Sequence, residues 1–171
     1  LPLTFFDRAS ETISEARFSI LEDPMNCNSN VNEQFRKSVL VSVDDAGQVI
    51  DTANEESLLL GYAVYQSGTA LELSESYHRI KRKGLYRADA SVVFVPREDG
   101  AVTVRMLLDG HALPSSRAHI SVEKNKYYTI PSCVPAFDRI FSLGLTPKLE
   151  LTIAGVPGIV VRTMLSTTKL A

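Results

Sequence analysis

Two-residue alternation rich in β-branched side chains is the strongest pattern in the chain. It is clearest in ADASVVFV, residues 88–95, and AVTVRMLL, residues 101–108, which are separated by Pro96-Arg97-Glu98-Asp99-Gly100. A period of two places alternate side chains on opposite faces, so each run reads as a strand with one buried face. The Asp-Gly end of the intervening turn predicts that the two strands meet in a hairpin. A second Asp-Gly, Asp109-Gly110, closes the latter strand.

The same grammar recurs on both sides. Upstream it marks 38–43 (SVLVSV), the turn 44–47, 48–52, 58–66 and 70–73. Downstream it marks 118–123 (AHISVE), the turn Asn125-Lys126, 126–130 (KYYTI), 139–145 (RIFSLGL), 149–153 (LELTI), the turn 154–158 and 159–165. Short strands recurring at 8–12-residue spacing predict an antiparallel sandwich or barrel. No long helical repeat follows Ser38.

Residues 1–34 behave differently. Phe6, Ala9, Ile13, Ala16 and Ile20 recur at three- and four-residue spacing, Thr4 with Asp7 suits a helix start, and Asp23-Pro24 suits its end. Two readings are open: an arm that docks on a partner, or a helix packed on its own sandwich, with RFSIL also readable as a strand. The Asn-rich stretch Met25 to Gln34 reads as a linker, which leaves 35–171 as one β-domain.

Composition narrows the function. The chain has 171 residues, 44% hydrophobic and 22% charged, enough for one domain with a core. Its 18 basic and 20 acidic residues give a net charge of -2, which provides no global field to attract nucleic acid or an anionic membrane. No apolar run approaches the roughly 20 residues of a membrane span. The start lacks the features of a signal peptide, so the expectation is a product made in a host cytoplasm. Cys27 and Cys133 have no CxxC or Cys/His spacing and read as free thiols.

Catalytic constellations are not evident. The histidines are His78, His111 and His119; the latter two lie near Glu123, yet no HxH pair would place two imidazoles on one metal. Cys133, between two prolines in IPSCVPAF with no basic neighbour in sequence, reads as a packed thiol. GxSxG, P-loop and GxGxxG motifs do not occur. Asp44-Asp45 and Glu55-Glu56 fall in turn-like segments, where acidic residues serve turn geometry. The basic run 79–83 lacks interleaved aromatics and reads as a solvated loop. The expectation is a protein that is not an enzyme and holds no cofactor and no metal.

Gly84-Leu85-Tyr86 followed by ADASVVFV, a turn, VTVRMLLDG and His111-Ala112-Leu113 resembles the central segment of C1q/TNF-like jelly rolls. LLLGYAVYQSGTALELSESYHRIKRKGLY is similar to that family's early strands, and IVVRTMLSTTKLA to its last strand, which lies in the inner sheet. In this motif glycine allows a tight strand entry and tyrosine places its ring in the core with the hydroxyl near an edge. The resemblance implies an all-β antiparallel jelly-roll sandwich that associates as a homotrimer. Leu59, Tyr62, Tyr65, Tyr127 and Tyr128 are candidate anchors of that association.

Jelly rolls with a short arm and no disulfides resemble viral structural proteins, in particular bacteriophage head-decoration, head-fibre or tail components. The resemblance implies a virion location and a capsid or tail protein as partner, with Phe5, Phe6, Ile13 and Phe18 as candidate attachment residues. A competing expectation is a module that binds carbohydrate or a host receptor, with a host surface glycan as ligand; no nucleic acid or membrane partner is expected.

Overall fold

The computed structural model describes residues 37–51, 54–139 and 146–171. They form two antiparallel sheets packed face to face. The first holds β1 (Val39–Asp44), β4 (Tyr62–Ser67), β7 (Gly84–Pro96), β11 (Tyr128–Arg139) and β13 (Gly158–Lys169), in the order β11-β7-β13-β1-β4, with β2 (Gln48–Ile50) also paired to β13. The second holds β5 (Leu71–Leu73), β6 (Tyr77–Ile80), β8 (Gly100–Leu108), β10 (Ala118–Val122) and β12 (Lys148–Gly155), in the order β10-β8-β12-β6-β5. Short strands β3 (Glu56–Ser57) and β9 (His111–Ala112) add to β12 and β8.

The alternation is converted directly into a core. Along β7, Tyr86, Ala88, Ala90, Val92 and Phe94 are buried, and Val102, Val104 and Met106 of β8 are their counterparts. Leu40, Val160 and Leu165 extend this core in the first sheet, and Leu149, Leu151 and Ile153 extend it in the second. Burial of each such side chain stabilises by about 1.5–3 kcal/mol.

The expected hairpin of β7 and β8 is not formed. β7 pairs with β11 and β13, whereas β8 pairs with β10 and β12, so Arg97–Asp99 carries the chain from one sheet to the other. The two apolar faces meet across the core instead of lying side by side, a spacing of about 10 Å between sheets. β10 to β11 and β12 to β13 cross in the same way. These crossings brace one another at one end of the sandwich: Arg97 N–H donates to Pro157 O at 2.8 Å, Asn125 N–H to Pro96 O at 2.9 Å, and Lys124 N–H to Asp99 Oδ1 at 2.7 Å. Asp109-Gly110 does make a tight turn, between β8 and β9, with φ of 50° and 78°.

Other expectations are corrected too. The strand expected over 126–130 begins at Tyr128 and continues through 131–137, which sequence reading did not assign to a strand, as part of β11. Pro131 and Pro135 are tolerated because β11 is an edge strand with a neighbour on one side alone, and the pairing shifts register between Val134 and Phe137. Of the strand expected over 139–145, Arg139 ends β11 and the remainder lies outside the described residues.

The strand expected over 58–66 begins only at Tyr62; Leu58 and Leu60 enter the core from a segment outside the strands. Gln48 pins that segment in the manner of a strand neighbour, accepting from Leu59 N–H at 2.8 Å and donating to Leu59 O at 3.0 Å. The basic run is not wholly loop, since Arg79 and Ile80 complete β6 and Ile80 is buried.

Tyr86 behaves as the motif requires: its ring is buried and its hydroxyl donates to Arg82 O at 2.7 Å. A polar link inside the core joins the sheets. His78 of β6 bonds Ser42 Oγ of β1 through Nε2 and Thr167 Oγ1 of β13 through Nδ1, both at 2.8 Å. With no exposed surface, the imidazole is held neutral by burial, its pKa lowered to about 3.

Candidate interaction face

Directly opposed residues of antiparallel strands share a face. On the outward side of the first sheet this register produces continuous rows. One runs Tyr62, Val43, Met164, Ser91, Pro131 and carries no charge across five strands. The next runs Tyr65, Val41, Ser166, Asp89, Cys133. Farther along β13, Val49, Ile159 and Val95 form a third.

A β-bulge brings the tyrosines together. Residues three apart on a regular strand point to opposite faces. Here Val41 opposes Tyr65 and Ser42 opposes Ala63, so Val64 is the extra residue, and Tyr62 and Tyr65 return to the same side. Gly61 sets the entry to this strand with φ +62°; a Cβ there would lie 2.2 Å from Val43 O. Tyr62 and Tyr65 are 54% and 56% exposed.

The two sheets differ in what they present to solvent. Among the described residues, eight large apolar side chains are exposed. Six of them, Val49, Leu59, Tyr62, Val64, Tyr65 and Ile159, lie on the first sheet or on the segment feeding its edge strand, and none lies on a strand of the second. Exposed apolar area concentrated on one face marks an interaction surface. The second sheet presents ion pairs: Arg105 of β8 makes a bidentate contact with Glu55, which Thr152 also reaches, and Lys81 lies 3.4 Å from Glu72. Arg105 donating to Glu55 holds that carboxyl below its usual range.

The candidate anchors therefore separate. Leu59, Tyr62 and Tyr65 belong to the apolar side. Tyr127, 74% exposed, lies on the turn before the opposite edge strand. Tyr128 packs against the core of its own protomer, and its hydroxyl accepts from Glu123 N–H at 2.8 Å. Val41, Met164, Val49 and Ile159 complete the face, whereas Val43 shares their parity but is buried; these positions escaped sequence reading, because parity identifies a face only once pairing is known. Phe5, Phe6, Ile13, Phe18 and Cys27 lie outside the described residues.

Cys133 is exposed on this face, not packed, because the proline-bearing edge strand turns it outward opposite Asp89. Asp89 bonded to the thiol raises its pKa, while Arg87, at 2.7 Å from Asp89 Oδ2, lowers that of the carboxyl. A thiol so placed is a poor nucleophile. Among the described residues no three His, Cys, Asp or Glu side chains gather to hold a metal.

Neither a protein-family model nor a curated protein matches the sequence. Solved structures do match in shape. Murine APRIL is similar over 79% of this chain and 100% of its own, with TM-score 0.61 and 17% identity. Eiger TNF from S. frugiperda is similar over 79% and 92%, with TM-score 0.60 and 10% identity. The fold is a TNF-like jelly roll. The PRD1 vertex protein P5 is similar over 77% of this chain and 95% of its own, with TM-score 0.50 and 15% identity. At these identities the likeness concerns fold.

Proposed function

We propose that the protein is a structural component of a virus particle, a bacteriophage decoration, head-fibre or tail protein, and not an enzyme. Its jelly rolls associate as a homotrimer through the outward face of the first sheet, and residues 1–34 attach the trimer to a capsid or tail protein. The observation that carries this reading is the concentration of exposed apolar side chains on one sheet, with Tyr62 and Tyr65 brought to one side by a bulge.

Such a face is lopsided. Tyrosines mark its β4 side, while Ser91, Pro131 and the Arg87–Asp89 pair mark its β11 side. A lopsided patch suits a head-to-tail contact that closes into a ring better than a self-complementary twofold one. The shared fold of the PRD1 vertex protein P5 supports the particle half of the reading. The experiment is deletion of residues 1–34, with attachment to particles and oligomeric state both measured. The expected product is a folded oligomer that no longer joins particles; full occupancy on particles would refute the attachment role.

A further inference from the structure

The outward face of the second sheet sets two like charges in direct opposition. Arg79 of β6 is the register partner of Lys148 of β12. Both turn to one ring: the Arg79 guanidinium carbon lies 5.7 Å and Lys148 Nζ 4.9 Å from the Tyr77 ring centroid. Arg79 Nη2 donates to the Tyr77 hydroxyl at 2.9 Å. Like charges directly opposed across strands destabilise a sheet. Cation–π contact offsets part of that repulsion and leaves the charge in place.

Carboxylates rim the pair without neutralising Lys148. Glu150 is the register partner of Tyr77, yet the Ser57 hydroxyl donates to it at 3.5 Å, and Glu72, opposite Arg79, pairs with Lys81. Among the described residues, Lys148 Nζ makes no ion pair. The face thus offers two cationic donors on register-opposed residues beside one ring, flanked by two anionic acceptors.

We propose that this cluster binds an acidic sugar. The carboxylate or sulfate of the sugar bridges Arg79 and Lys148, and its ring hydroxyls donate to Glu72 and Glu150. The mixture of signs selects this chemistry. A nucleic-acid backbone, with one charge per roughly 3.4 Å of each strand, would drive phosphates against both glutamates. An isolated anionic group on a polyhydroxylated ring satisfies cations and carboxylates together. Association through the first sheet leaves this face outward, but the site does not depend on that association.

The test is an amide NMR titration of the full chain with 3′-sialyllactose and with galactose 6-sulfate, against lactose, inorganic sulfate and a ten-residue oligothymidylate. The expected result is saturable shifts at residues 72–79 and 148–150 with both acidic sugars and none with lactose. Lys148→Gln, an exposed change that leaves the core intact, should weaken binding about tenfold or more. Four results would each overturn the proposal: no saturation below about 10 mM sugar, inorganic sulfate binding as well as the sugars, tighter binding of the oligonucleotide at these residues, or unchanged affinity of Lys148→Gln.

Discussion

Acidification should loosen the sandwich through a single residue. Above pH 6.5 the neutral His78 ring links β6 to β1 and β13 through Ser42 and Thr167. Its folded pKa of about 3 lies below the ordinary imidazole value of 6.5, and the cause is burial. The folded state therefore binds fewer protons than the unfolded chain between these values. Stability from this group is complete above pH 6.5 and is lost as pH falls toward 3, at about 1.4 kcal/mol per unit. Two units, from 6.5 to 4.5, correspond to about 3 kcal/mol, a large share of the roughly 5–15 kcal/mol that holds a domain folded. Urea unfolding at pH 7.0 and 4.5, for the natural chain and for His78→Gln, isolates the term. The natural chain should lose about 3 kcal/mol more than the variant between the two pH values. Parallel losses would refute the reasoning, as would titration of the His78 ring near pH 6.5 by NMR, a readout that needs no variant.

Two further outcomes follow from backbone and core geometry. Gly61→Ala places a methyl group against Val43 O in left-handed backbone and should cost about 1–3 kcal/mol in urea unfolding, with amide shifts concentrated in β4 and β1. Tyr86→Phe keeps the buried ring but removes the hydroxyl's hydrogen bond to Arg82 O, so a loss of about 1 kcal/mol is expected, with no change in oligomeric state.

Strand content was legible because a half-buried strand must alternate, and 88–95, 101–108 and 118–122 do. Partnership was not, since a hairpin within one sheet and a turn between two sheets impose the same alternation on the strands they join. Arg97–Asp99 shows this, as the parity of β7 and β8 is right and their pairing is not. Of β11, 126–130 was legible by its aromatic and β-branched residues, while its continuation through Pro131 and Pro135 was not, since proline is compatible with an edge strand but gives no strand signal. Tyr62 and Tyr65 were legible as surplus aromatics, but their common orientation depends on the Val64 bulge, which spacing alone would contradict. The Arg79–Lys148 opposition arises between positions far apart in sequence and needed the register of β6 on β12.

Native mass spectrometry of the full chain, alongside Tyr62→Glu with Tyr65→Glu, separates a self-associating jelly roll from a lone one. A threefold multiple of 18.8 kDa is expected for the natural chain and a folded 18.8 kDa protomer for the double variant. A natural chain that stays at 18.8 kDa across micromolar concentrations, or a double variant that associates as before, would contradict self-association through the first sheet.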